Sequence, residues 1–274
     1  ASLSMPPQLP LIIEPDHLYS LIQAPGLLIV DVCQSALYQH LHVPGAVHVS
    51  PSELVSGQLP ATGKLPSVEA LEKLLSRIGL SPDKHVVAYD DEGGGWAGRF
   101  LWTLELVGHH HYSYLNGGIH AWKNEGFPVE SRIVQVQPTI FIAQMNYQDR
   151  AELDEVLASI DEADSIIWDA RSAEEYAGIR QSALRSGHVP GAVNLDWLQT
   201  MDRERNLRLL PMETLRSVLA ELGISDKKKI ITHCQTHHRS GLTWLIGKAM
   251  GLPIKAYDGS WSEWGNRLDT PVEP

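Results

Sequence analysis

The chain has 274 residues, 43% hydrophobic and 20% charged, enough for roughly two soluble globular domains. Its net charge of -11 argues against a general nucleic-acid or anionic-membrane binder, because counterion release needs a basic face, but leaves open a small anion that answers to local charge. No run approaches the ~20 apolar residues of a membrane span, residues 1–10 lack the basic cluster of a signal peptide, and two distant cysteines, Cys33 and Cys234, give no disulfide framework and fit a reducing cytoplasm.

In chain order, residues 27–32 form a short apolar run around Asp31 that predicts a buried strand. Residues 67–78 carry apolar side chains at helical spacing after Pro66 and end near Gly79. A second strand is expected over 85–89 and an apolar helix over 96–107. Residues 127–145, with Pro128 and Pro138, have no counterpart elsewhere and predict a linker. The order then recurs, with strands over 165–170 and 229–233 and helices over 211–222 and 240–250.

It recurs because the text does. His42-Val43-Pro44-Gly45-Ala46-Val47 returns as His188-Val189-Pro190-Gly191-Ala192-Val193, and Ile29-Val30-Asp31 as Ile167-Trp168-Asp169. The offset grows between these two matches, so the second copy has an eight-residue insertion between Asp169 and His188. The expectation is an α/β protein of two tandem domains, 9–126 and 146–274, each a mainly parallel sheet with helices on both faces.

The copies disagree at one chemical position. After its second strand, the second copy reads Cys234-Gln235-Thr236-His237-His238-Arg239-Ser240, while the first has Asp90-Asp91-Glu92-Gly93-Gly94-Gly95-Trp96. In open parallel sheets, ligands bind beyond the carboxyl ends of strands. A short loop there can turn successive backbone N–H groups toward the sulfur, and a following helix start adds positive potential. With His237, His238 and Arg239 nearby, these features favour the nucleophilic thiolate, so Cys234 is the candidate catalytic residue and Gln235 to Ser240 the anion-binding loop. Such basic company makes an inert, buried thiol a poor reading of Cys234. Cys33, just past the Asp31 strand and without basic company, reads as a structural or merely exposed thiol.

Other residues carry less. Gly93-Gly94-Gly95 lacks the Lys-Ser/Thr of a phosphate loop. Trp96 and Arg99 beyond it are candidates to wall a substrate site, with helix packing the plain alternative for Trp96. The His109-His110-His111 run reads as solvated loop, and His42 and His188 as structural members of the repeated turn. His233 faces away from its neighbour on a strand and should pack. Asp31, and Asp169 with Arg171, should hold the sheet ends by hydrogen bonds, while Trp261 and Trp264 suit pocket or core equally. Nothing implies a metal or an organic cofactor.

Two tandem α/β domains, one with a cysteine loop and one with Asp in its place, resemble the two-domain rhodaneses, the thiosulfate sulfurtransferases. The loop from Cys234 to Ser240, the segment Asp90 to Trp96, and Gly259-Ser260-Trp261 with Glu263-Trp264-Gly265 are most like the Azotobacter-type bacterial rhodanese. The resemblance implies that Cys234 takes the outer sulfur of a thiosulfate-like anion, releases sulfite, and passes the persulfide sulfur to cyanide, a thiol or a protein acceptor. The chain lacks both the Arg and Lys that follow the cysteine in animal thiosulfate enzymes and the Gly-Ser/Thr-Gly-Val-Thr loop of mercaptopyruvate enzymes. Where the animal enzymes carry an Arg before Tyr176, it has Glu175; Arg180 and Arg185 in the insertion are candidates to supply charge instead.

A phosphatase of the Cdc25 type is the alternative, since it uses His-Cys-x5-Arg on the same device. Here only four residues separate Cys234 from Arg239, and the smaller nest suits a single sulfur better than a phosphoryl group.

Overall fold

The computed structural model describes residues 8–274. They pack into two compact units: 8–54 with Pro66–Asn146 and Asp202–Arg208, and Val55–Leu65 with Tyr147–Met201 and Leu209–Pro274.

The first unit runs β1 (Ile12–Ile13), α1 (Pro15–Ser20), β2 (Leu27–Asp31), α2 (Ser35–His40), β3 (Val47–His48), α3 (Val68–Arg77), β4 (His85–Tyr89), α4 (Gly95–Val107), β5 (Tyr112–Leu115) and α5 (Gly118–Asn124). Its sheet has the order β1-β5-β4-β2-β3, with every pair parallel. The second unit repeats this with β6 (Arg150–Ala151), α6 (Leu153–Ser159), β7 (Ser165–Asp169), α7 (Ala173–Tyr176) and β8 (Val193–Asn194). Next in the chain comes a two-stranded ribbon of β9 (Met201–Asp202) and β10 (Arg208–Leu209), whose residues 202–208 are assigned to the first unit; the second unit continues with α8 (Met212–Glu221), β11 (Lys229–His233), α9 (Arg239–Ala249), β12 (Ile254–Tyr257) and α10 (Ser260–Trp264). The second sheet has the order β6-β12-β11-β7-β8, again all parallel. Both units are thus the α/β sheets that the alternating pattern predicts.

Local chemistry explains the boundaries. Ser67 caps α3 by accepting from the Ala70 N–H at 3.1 Å. Strand β2 stops at Asp31 because its carboxylate turns back to accept from the Cys33 N–H at 2.8 Å and the Tyr89 hydroxyl at 2.5 Å. Helices α1, α2, α5, α6, α7 and α10 have four to seven residues, too short for a helical period to show in sequence.

The repeated His-Val-Pro-Gly turn is built identically in both units. His42 stacks on Tyr38 at 4.0 Å and His188 on Tyr176 at 3.7 Å, each ring meeting the tyrosine's carbonyl through Nδ1. The tyrosine hydroxyls donate to the carbonyls of Ala46 and Ala192. Core clusters pack Ile29, Val87, Leu115 and Trp122 in the first unit, and Ile167, Ile231, Tyr257 and Trp264 in the second. Residues 131–146 are irregular and run along the first unit, where Ala143 donates to Glu72 and Gln144 to the Val107 carbonyl, both at 2.9 Å. Among the described residues, no helix is long and apolar enough to cross a membrane.

Candidate active site

Strand β11 ends at His233 and α9 starts at Arg239, so Cys234 to His238 form a tight loop over the carboxyl end of the second sheet. The loop's carbonyls are drawn outward. Cys234 and Gln235 accept from the Trp261 and Ser262 N–H groups of α10, both at 2.9 Å, and the Cys234 N–H donates to Ser260 Oγ at 3.3 Å. His237 adopts φ +62°, a left-handed conformation uncommon for a residue with a side chain. That turn aims its N–H at Cys234 Sγ, 3.1 Å away. Ser240 Oγ donates to the same sulfur at 3.4 Å and lies 2.6 Å from His237 Nδ1.

The Cys234 side chain is fully buried. Burial pushes its thiol pKa up, but the Arg239 charge, the Ser240 hydroxyl and the backbone N–H groups of Ser240 and His238 outweigh it and hold the pKa below the ordinary thiol value. Cys33 is equally buried, but burial and the carboxylates of Asp31, Asp91 and Asp90 all push its thiol far upward. It is a core residue.

The other loop residues each have a structural partner. Gln235 exchanges hydrogen bonds with Ser182 in the insertion, at 2.7 and 3.2 Å. The His238 ring meets Trp197 edge-on at 6.1 Å. Arg239 gives both guanidinium ends to Glu175, at 2.8 and 3.1 Å. Thr236 lies under the strap of Val55–Leu65: a Cβ on Gly63 would stand 1.8 Å from the Thr236 carbonyl oxygen, so only glycine allows this approach. The strap is tied down by Lys64 on Glu263 at 2.5 Å and by the Leu65 N–H on Asp258 at 2.9 Å.

Beneath the loop, Asp169 and Arg171 form a buried pair at 2.7 Å, and the guanidinium lies 4.5 Å over the Trp261 ring. His233 packs beside them, Nδ1 against the Cys234 carbonyl at 3.0 Å, and burial lowers its pKa. Of the remaining candidates, Arg180 is exposed, whereas Arg185 donates to the carbonyls of Arg267 and Thr270, at 2.9 and 2.6 Å. Trp96 and Arg99 lie on α4 of the first unit. Arg99 is fully buried, with Nη2 on the Leu54 carbonyl at 2.7 Å and its guanidinium 5.0 Å from the Trp102 ring.

Sequence reasoning did not single out Gly63 or assign Glu175 to Arg239. A signal existed for Glu175: Ser172-x-x-Glu175 is a capping box, and both of its hydrogen bonds form at the start of α7. None existed for Gly63, whose constraint comes from a distant carbonyl.

The first copy shows what the cysteine replaces. Asp90 Oδ1 accepts from the N–H groups of Glu92 and Gly94 at 3.0 and 2.9 Å, and Oδ2 from Ala97 at 2.8 Å. Its nest is filled by its own carboxylate. The scaffold is otherwise shared, since Ile119 donates to the Asp90 carbonyl as Trp261 does to that of Cys234.

Comparison with known proteins gives the chain's family. The rhodanese-like domain family matches residues 14–125 and again 152–267. The thiosulfate sulfurtransferases of Azotobacter vinelandii and Pseudomonas aeruginosa are 47% and 46% identical over 266 residues, 97% of this chain and of each relative. Among solved structures, an anaerobic ergothioneine biosynthesis enzyme from Chlorobium limicola superposes with a TM-score of 0.87 at 21% identity, over 97% of this chain and 71% of its own, a likeness of fold. Sheet order, duplicated turns, the cysteine loop and these relatives converge, and the chain belongs to the rhodanese family as a tandem two-domain member.

Proposed function

We propose that Cys234 is the sulfur carrier of a thiosulfate sulfurtransferase and that the loop from Gln235 to Ser240 binds the anions of the reaction. The Cys234 thiolate attacks the outer sulfur of thiosulfate, the S–S bond breaks, and its electron pair leaves with sulfite. A Cys234 persulfide anion remains. Cyanide or a thiol then attacks the terminal sulfur and regenerates the thiolate, a ping-pong covalent cycle.

One observation carries this reading: Cys234 Sγ receives donors from His237 N–H and Ser240 Oγ at the mouth of a parallel sheet. Both can follow the negative charge as it moves onto the second sulfur, as donors in an oxyanion hole do. Neither half-reaction needs a proton at the reacting sulfur, so His237 acts through its N–H and through the serine it holds.

The test is the intact mass after thiosulfate treatment. A gain of one sulfur atom on the Cys234 peptide, removed by cyanide, is the expected result. No mass gain, with turnover of an aryl phosphate, would overturn the reading in favour of a phosphatase.

A further inference from the structure

We infer that Glu175 is a positioning residue for Cys234: it holds the Arg239 guanidinium against the cysteine loop, and so keeps that charge on the sulfur instead of in solvent. The inference rests on Cys234 being the sulfur carrier.

Arg239 is the first residue of α9, and its side chain is only 16% exposed. A guanidinium that deep needs a partner, or it leaves for water. Glu175 is that partner, in the two-pronged geometry that fixes direction as well as distance. Glu175 is itself immobilised, because its carboxylate closes the capping box by accepting from the Ser172 N–H and hydroxyl at 3.3 and 3.0 Å. Position therefore passes from Ser172 through Glu175 to Arg239 and, as charge, to Cys234.

The other ionisable groups around the pair do not substitute. Asp169 is committed to Arg171. His233 is buried against them, and burial lowers its pKa. On α10, Glu263 is held by Lys64 and the Tyr257 hydroxyl. His237 is turned to Ser240, and His238 to Trp197. Asp196 feels the charges of both Arg239 and Glu175.

The test uses the pH profile of Cys234 alkylation by iodoacetamide, located by peptide mass, alongside KM for thiosulfate. In Glu175→Gln the fold and capping box are retained but the paired charge is lost. The alkylation midpoint should move up by about one pH unit, making alkylation below it about tenfold slower. KM should rise, and Glu175→Asp should recover part of both. In an Arg239→Ala background, Glu175→Gln should add nothing further. Arg239→Lys keeps a charge without the fork and should move the midpoint the same way, which keeps the test alive should Glu175→Gln misfold. An unchanged midpoint in the folded variants, a shift to lower pH, or an equal Glu175→Gln shift without Arg239 would overturn the inference. Failure of the wild-type protein to gain sulfur would instead overturn the carrier role, so the two failures are distinguishable.

Discussion

Two cysteines, equally buried, have opposite chemistry. Cys33 is ringed by carboxylates, and Cys234 by N–H groups, a hydroxyl and an arginine. Burial alone raises both; the neighbours decide the sign. Cys234→Ala should therefore abolish thiosulfate:cyanide transfer without unfolding the protein, and residual transfer would refute the assignment. Cys33→Ala should leave transfer intact and cost roughly 1 kcal/mol of stability, read by urea unfolding beside an activity assay. The reactivity of Cys234 should persist below the ordinary thiol range of about 8.5 and fall only at lower pH, as the thiolate takes up its proton. An alkylation midpoint at or above 8.5 would contradict that.

At the scale of elements, the site is assembled from short pieces. The start of α7 supplies Glu175, α10 draws the loop carbonyls outward, and the strap presses on Thr236. Gly63→Ala puts a methyl group into the Thr236 peptide, so strap or loop must move. Displacements of about 1 Å at a reacting centre can cost about 100-fold, and sulfur loading should fall on that order while the circular dichroism spectrum is kept. Glu175 gives a pH signature as well. Burial would raise its pKa, but the Arg239 hydrogen bonds and charge hold it at about 2, against an ordinary 4.5. A depressed carboxylate contributes stability that is full above about pH 4.5 and is lost as pH falls toward 2. The stability difference between wild type and Glu175→Gln, measured by urea midpoints, should narrow across that window; a constant difference would argue against the ion pair.

At the scale of the whole molecule, duplication has separated scaffold from chemistry. Both units keep the strand order and the Tyr-His turn. The proposed anion loop belongs to the second copy. Asp90 fills the nest of the first, and Asp91 and Glu92 follow where the second copy has Gln235 and Thr236. Asp90→Cys in a Cys234→Ala background should therefore not create a sulfur carrier, since burial and adjacent carboxylates would keep the new thiol protonated. Intact mass after thiosulfate decides it, and a sulfur gain at position 90 would show that a cysteine in this scaffold is sufficient. The net charge of -11 fits the same division, because an acidic chain can bind an anion where N–H groups and one arginine outweigh it locally.

What the sequence determined by itself is whatever is written locally or written twice. The long strands and helices show their period, the repeat exposes the two-domain plan, and the exchange of Asp90 for Cys234 marks the position proposed as reactive. His237 and Ser240 were legible as loop members because they lie within six residues of the sulfur. Tertiary structure alone decided the orientation of His237, whose φ of +62° aims its N–H at sulfur, and that Arg239 faces Glu175. It also decided that Gly63 abuts Thr236 and that Cys33 is buried among carboxylates. Each of these depends on groups distant in sequence meeting at hydrogen-bond or contact range. A backbone N–H has no residue identity, and a glycine carries no side chain to announce what lies against it, so neither leaves a pattern to be read before the chain folds.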